Sequence, residues 1–503
     1  MSVPTTKKTM MPRTPLHRWL AVAFIILIIF YYRPNFTSSV SDSPPLPPYS
    51  QAFDDLTYVK EVLRNNSIGS GVSYASRTIR YLPDAPDRPS ITEVDHELFP
   101  LSFAEIDIKT VSTLPAARPV EVHVRKPVRP DAIDASGLIF AASTTFERFT
   151  GENTSPVAEW SRWLTDGFGH SNGAGLILAL FNTTEEEIDH TALKLSQAGI
   201  NATVVPSDPT LDMAGRYVAL VKMLYEHPTR DSRKYFALID DDTFFPRMAE
   251  LQRVLSRYDP SKPFYIGTFT ERAEWLLREG EPFAYGGGGI FLTAPVARQI
   301  TQLPCLEKNQ DGQYILQADQ GDRLLYKCLD KHTEITLTYL PELRQEDEFG
   351  DPSGLYESGQ QSLSLHHYKS WHRLTVGKMH TVADACGEDC VLQRFQFKDN
   401  FIISNGYSVA EYPKGIDFDL LQMENTFDNT ADGKTSMNYA FGGIRKSLSK
   451  TGRKRAWELL DARREGDGKV RQVYVKRRGD GRWQAEGEEH PKNDSVVVLL
   501  WIP

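Results

Sequence analysis

The chain has 503 residues, 40% hydrophobic and 11% aromatic, enough for roughly two to four domains of about 150 residues each, which excludes general disorder. Its formal net charge of −9 and pI near 5.8 leave no basic footprint for nucleic acid. A nucleic-acid partner is therefore not expected.

The N-terminus carries Lys7, Lys8, Arg13 and Arg18, then an unbroken apolar run from Trp19 to Tyr32, then Arg33-Pro34. As a helix that run spans about 21 Å at ~1.5 Å per residue, short of a hydrocarbon core of ~27–30 Å. Adding Leu16 to Arg18 with snorkelling extends it to about 25 Å. The bulky flank Phe30-Tyr31-Tyr32-Arg33 offers no small-residue cleavage site, which favours a signal anchor over a cleaved signal peptide. More cations precede the segment than follow it, so the positive-inside rule puts 1–15 in the cytosol, 16–33 in the membrane and the rest in a lumen.

Sequons at Asn35, Asn65, Asn153, Asn182, Asn201 and Asn493 all fall on that luminal side, where Asn-x-Ser/Thr accepts N-glycans. Cys305, Cys328, Cys386 and Cys390 are the 4 cysteines, and an even number in an oxidising compartment favours disulfides. Their order suggests Cys305–Cys328 and Cys386–Cys390, with the other pairings left open. No CxxC pair is present, so zinc is the weaker reading.

Residues 34–130 begin with the proline-rich stretch Pro44-Pro45-Leu46-Pro47-Pro48, an extended stem, and continue with mixed sequence that is stem plus an N-terminal subdomain. From Gly137, strands and helices alternate. Leu138–Ala142 and Gly175–Leu180 are buried-strand runs, with Trp160 and Trp163-Leu164 on a helix between them. Tyr217, Leu220, Val221 and Leu224 recur at helical spacing ahead of the strand Tyr235–Ile239. Pro246 suits the first position of the next helix, faced by Met248, Leu251, Val254 and Leu255, and Pro295 opens another. This order predicts an α/β domain over 131–395 with ligands at the carboxyl ends of its strands. The region 396–503 holds the basic residues Arg445, Lys446, Lys450, Arg453, Lys454 and Arg455, a solvated face, and strand-like Val473–Val475 and Val496–Leu500. It is expected to be a small β-rich appendix.

Asp240-Asp241-Asp242 closes the strand at 235–239. Carboxylates this close repel and raise one another's pKa, and a hard divalent cation that shares oxygen ligands with phosphates relieves them. One helix cap needs only one Asp, so capping alone explains the triplet poorly, and Phe244 in the fifth position fits an aspartyl-phosphatase signature poorly. The triplet resembles the Asp-x-Asp signature of nucleotide-sugar glycosyltransferases. Gly286-Gly287-Gly288-Gly289 allows close backbone approach to a ligand. Asp319-Gln320-Gly321-Asp322 opens a helix with Leu324, Leu325, Cys328 and Leu329 on its inner face. An inverting transferase needs a carboxylate to take the acceptor proton; Asp322 is the candidate, with Asp319 as the cap and as the alternative base. Ser364-Leu365-His366-His367 supplies imidazole, which suits Mn²⁺ alongside carboxylate.

In combination, Ser143-Thr144-Thr145 after the first strand, the Asp240–Asp242 triplet, the Phe283-Ala284-x-Gly286-Gly287-x-Gly289 loop and Ser364-Leu365-His366 resemble the fringe-related β-1,3-glycosyltransferases of glycosyltransferase family 31. Gly350-Asp351-Pro352-Ser353-Gly354 and Leu363–His367 further resemble a fungal and plant fringe-like branch. The resemblance covers about residues 137–395. It implies a GT-A (Rossmann-like nucleotide-sugar-binding) fold, a UDP-sugar donor, Mn²⁺ or another divalent cation, inversion, and a glycan or glycoprotein acceptor. It implies a Golgi or ER membrane address and leaves a homodimer open. Carried onto this sequence, Asp242 and His366 would be metal ligands, with Asp240 a further candidate. Asp240, Asp241, Ser143, Thr144, Thr145, Gly286, Gly287 and Gly288 would hold the donor, and Asp322 would be the base. The alternative is a Golgi glycan-binding protein that kept this fold without turnover.

Overall fold

The computed structural model describes residues 55–115, 117–427 and 437–503. The expected anchor at 16–33, the proline-rich stem and Asn35 lie outside them. Among the described residues no helix is long and apolar enough to cross a membrane.

A seven-stranded sheet carries the central α/β region. Its strands are β1 (Leu138–Thr145), β2 (Gly175–Phe181), β3 (Ala202–Pro206), β4 (Tyr235–Leu238), β5 (Tyr265–Gly267), β6 (Ile290–Leu292) and β7 (Leu337–Tyr339), in the order β7-β5-β6-β4-β1-β2-β3. β1 runs parallel to β2 and β4, and β6 runs antiparallel to β4 and β5. The first two apolar runs are fully buried, as a sheet covered on both faces requires: Leu138 to Ala142 and Leu176 to Leu180 are at most 2% exposed.

One face packs on helix α1 (Met213–Glu226), where Leu220, Val221 and Leu224 of the expected stripe are buried together with Val218, while Tyr217 is half-buried. Helix α2 (Gly321–His332) packs beside it with Leu324, Leu325, Cys328 and Leu329 inward. Phe140, Trp163, Phe245 and Phe291 interlock on the other face at centroid separations of 4.9–6.4 Å. Both disulfides pair in chain order, Cys305–Cys328 and Cys386–Cys390.

The first and last parts of the described chain, kept apart in the sequence reading, share one ten-stranded sheet. Gly71–Ala85 lies parallel to Asp494–Ile502, from Val72 against Asp494 to Arg80 against Ile502. Residues 71–125 are therefore not a separate stem, and 396–503 is not a free-standing appendix. The final apolar run Val496–Leu499 is buried because a strand from the other end of the chain pairs with it.

Two local expectations are corrected. The helix after the triplet is Met248–Leu255, with Arg247 before it in a non-helical conformation. Pro246 thus lies outside, where its carbonyl accepts from His380 Nε2 at 3.1 Å. Asp319 does not cap α2: the capping position is Gln320, which makes no side-chain capping bond.

Candidate functional site

β1 and β4 are parallel neighbours paired Ile139–Phe236 through Ala141–Leu238. β4 ends at Leu238 while β1 continues to Thr145. The residues that follow β4 are therefore delivered beside Ser143, Thr144 and Thr145 at one sheet edge, where ligands of open α/β sheets bind. A cavity of about 800 Å³ opens there, and Ser143–Thr145, Asp240–Asp242, Gly286, Asp322 and His366 all line it.

The three aspartates are held differently. Asp241 is neutralised inside the protein: Thr144 Oγ1 donates to it at 2.5 Å and Arg148 donates twice, at 2.8 and 2.5 Å. Arg148 reaches it because Thr145 starts a short helix, Phe146–Thr150, by accepting from the Arg148 N–H at 3.3 Å. Asp242 faces His366 instead, with its Oδ1 3.1 Å from Nε2, and Asp240 Oδ2 stands 3.5 Å from the same nitrogen.

His366 is fixed by two contacts from elsewhere in the chain. Leu365 exchanges backbone bonds with Phe244 at 2.9 and 2.8 Å, tying the histidine segment to the triplet. His366 Nδ1 donates to the Gln345 carbonyl at 2.8 Å, because a carbonyl can only accept. That bond leaves Nε2 facing the carboxylates. Burial alone would pull the His366 pKa down, but Asp242 and then Asp240 outweigh it and hold it well above the ordinary value. Burial likewise works to raise Asp242, yet His366 keeps its carboxyl well below the usual range. A positive charge between these groups is favoured, whether proton or cation.

His367 adds a third donor. Ligand atoms of Asp242, His366 and His367 lie within 4.8 Å of one another. His367 takes φ of 53°, and its ring stacks on Trp371 at 3.7 Å, which in turn stacks on Phe349 at 4.0 Å. Its Nε2 is 3.3 Å from Asp347 Oδ1.

The glycine run divides in two. Gly286 lines the cavity; Gly287 and Gly288 stand behind its wall. A Cβ on Gly287 would lie 2.2 Å from the His366 ring, so the histidine reaches the triplet only over a glycine. The Gly288 N–H donates to Gln345 Oε1 at 3.0 Å and its carbonyl accepts from Ser364 at 2.7 Å.

Asp322 closes the far side, accepting from the N–H of Gly286 at 3.0 Å and of Arg323 at 2.7 Å. Those bonds favour its ionised form, but burial outweighs them and pushes its pKa up to about 7. Asp319 is exposed and not on the cavity wall.

Sequence reasoning passed over Arg148, Gln345, Asp347 and the buried Glu271. Glu271 accepts from the N–H groups of Gln345 and Glu346, both at 2.9 Å, and thereby sets the carbonyl that orients His366. Burial pushes Glu271 up to about 7. The one available signal was the run Glu346-Asp347-Glu348, three acids that turn out to be at most 3% exposed.

Asn65, Asn153, Asn182 and Asn201 are exposed, and Asn493 is half-buried.

Residues 189–380 match the family model described as Fringe-like. No curated protein matches the chain. Among solved structures it is similar to a galactosyltransferase LgtC in complex with donor and acceptor sugar analogs, at 13% identity and a TM-score of 0.31 over 48% of this chain and 91% of that one. It is similar to the glycosyltransferase GlyE of Streptococcus pneumoniae TIGR4, at 12% identity and 0.30 over 49% and 58%. A mannosyltransferase of Pyrobaculum calidifontis in complex with GDP-Man and Mn²⁺ gives 10% identity and 0.23 over 33% and 47%.

Proposed function

We propose that the chain is an inverting, divalent-cation-dependent glycosyltransferase that moves a sugar from a UDP-sugar to a glycan or glycoprotein acceptor, forming a β-1,3 linkage. The observation that carries this reading is His366 Nε2, turned by the Gln345 carbonyl toward Asp242 and Asp240 at the carboxyl edge of the sheet. A ligating histidine characteristically donates its other N–H to a carbonyl in this way. The donors of Asp242, His366 and His367 are carboxylate oxygen and imidazole nitrogen, a set that fits Mn²⁺. Bound there, the cation would act as a Lewis acid on the diphosphate leaving group.

The chain's own residues supply the rest. Thr144 and Arg148 hold Asp241 fixed, and Ser143 and Thr145 offer hydroxyls on the same wall for ribose or donor sugar. Asp322, across the cavity, takes the acceptor proton as the acceptor oxygen bonds to the anomeric carbon and the bond from that carbon to UDP breaks. A base with a pKa near 7 is well matched to neutral conditions. The catalytic region is proposed to be luminal, on a single-pass type II anchor in the Golgi or ER. The apolar run Trp19–Tyr32 and the four exposed sequons support that address, and protease protection of microsomal protein tests it.

The enzymatic test is transfer from a panel of UDP-sugars, compared for wild type, Asp242→Ala and Asp322→Asn. UDP binding by calorimetry should require Mn²⁺. Transfer that survives in Asp242→Ala with metal chelated would rule out the metal role.

A further inference from the structure

A second cavity, of about 770 Å³, lies on the ten-stranded sheet and is walled by the segment 480–493. Its floor is built in register. Glu105 pairs with Ser73, Ser73 with Ser495, and Ser495 with Lys476, so side chains from four adjacent strands form one polar row on a common face. Trp457 Nε1 donates to Ser495 Oγ at 2.9 Å, and that hydroxyl donates to the Ser73 carbonyl at 3.2 Å. The Phe103 ring sits 5.4 Å from Trp457 and adds an apolar surface beside the row.

Charge decides which ligand class fits. Glu105, Glu411, Asp480, Glu488 and Glu489 on the wall are opposed by Lys454, Arg455, Lys476 and Lys492. Several of these are already paired: Arg455 with Glu411 at 3.2 Å, and the fully buried Lys454 with Glu357 and Glu424 at 2.5 and 3.1 Å. With those set aside, Glu105, Asp480, Glu488 and Glu489 face Lys476 and Lys492, which leaves no surplus of cations for a phosphorylated or sulfated polymer. Two of these carboxylates are already engaged, Glu105 by Asn493 Nδ2 at 2.9 Å and Glu488 by the Ala485 N–H at 3.0 Å. Aromatic surface with donors and acceptors at fixed spacing remains, which suits the apolar faces and hydroxyl edges of a sugar ring.

Asn493 lies at the end of this row. It lines the cavity, and its Nδ2, the atom that carries an N-linked sugar, donates to Glu105 at 2.9 Å. We propose that this cavity is a carbohydrate-binding site for a neutral, pyranose-based glycan. The glycan is either the one attached to Asn493 of the same chain or a separate oligosaccharide. The site shares no residue with the Asp240–Asp242 cavity, so it stands or falls independently of the transfer reaction.

The test uses the full chain made in a eukaryotic secretory host. In the first arm, site occupancy is mapped and N-glycan release under native conditions is timed. An Asn493-linked occupant predicts release at least about tenfold slower than at the exposed Asn153 and Asn201, because a docked glycan must first dissociate. Phe103→Ala should abolish that protection, and Glu105→Gln, at an exposed position, serves if the ring substitution impairs folding. In the second arm, Asn493→Gln is titrated with chitopentaose, maltopentaose and mannopentaose by calorimetry. A separate ligand predicts saturable binding of one of them, weakened at least about tenfold by Phe103→Ala or Lys476→Met. Unprotected or absent Asn493 glycan, together with no binding in the second arm up to about 10 mM, overturns the proposal.

Discussion

His366 Nε2 lies 3.1 Å from Asp242 Oδ1 while the opposite ring nitrogen is committed to the Gln345 carbonyl at 2.8 Å. The ring thus cannot turn away without losing a buried hydrogen bond, a cost of about 1–3 kcal/mol. If this pair grips a cation, His366→Ala should lower Mn²⁺-dependent UDP affinity by about 10–100-fold. Gln345→Ala keeps its backbone carbonyl and should cost less. Calorimetric titration of UDP with and without Mn²⁺ reads both. Equal UDP affinity in wild type and His366→Ala at saturating Mn²⁺ would contradict the role.

Gly287 tests the same geometry from behind. Gly287→Ala would drive its methyl into the His366 ring, 2.2 Å away, whereas Gly479→Ala meets nothing within 4 Å. Overpacking of a filled site costs about 1–3 kcal/mol, so Gly287→Ala should lower the unfolding midpoint and uncouple UDP binding from Mn²⁺. Gly479→Ala should do neither. Thermal unfolding and the same titration separate the two.

These residues show what the sequence could and could not disclose. The triplet, the glycine run and the stripe positions Leu220, Val221 and Leu224 are legible because each is a short-range pattern with a local physical cause. The placement of Asp242 beside His366 depends on the bridge between Phe244 and Leu365, which leaves no periodicity in either segment. Pairing of Gly71–Ala85 with Asp494–Ile502 is hidden for the same reason. Glu271 and Asp347 were missed because charged residues are expected outside, and Arg148 because it is an exposed arginine whose partner Asp241 is far away in sequence. Burial with a backbone or guanidinium partner appears only once distant segments have met.

Asp322 gives a pH prediction. Its ordinary carboxyl value is 3.8 and burial pushes it up to about 7. As a general base it must be ionised, so kcat/KM should rise about tenfold per pH unit up to near pH 7 and then level. Asp322→Asn should be inactive at every pH. Stability moves the other way. Between about pH 4 and 7 the folded state holds the proton more tightly than the unfolded one, so this residue makes stability fall as pH rises. Asp322→Asn should flatten that part of the curve, as denaturant unfolding at pH 5 and 7.5 would show. A steeper fall in the variant would contradict the assignment.

Asp389, inside the Cys386–Cys390 loop, joins the two large sheets. Arg247, just beyond the triplet, donates to it at 3.0 and 2.6 Å, and Arg125, at the end of a strand of the ten-stranded sheet, reaches it at 3.2 Å. Arg88 donates to its carbonyl at 2.6 Å and to that of Val391 at 2.9 Å. Arg247 is 3% exposed, so Asp389→Ala strands a buried cation, a loss of about 3–5 kcal/mol. Burial raises the Asp389 pKa, but Arg247 outweighs it and the net shift is downward. The stabilisation is therefore present above the ordinary carboxyl range and is lost as pH falls through the lowered value. Urea unfolding of the full chain at pH 7 should show the deficit, and it should shrink toward pH 3. Because Arg247 leads straight back to Asp242, the variant should also weaken Mn²⁺-dependent UDP binding before global unfolding begins. Unfolding and UDP binding lost at the same urea concentration would show that the clamp supports the fold alone.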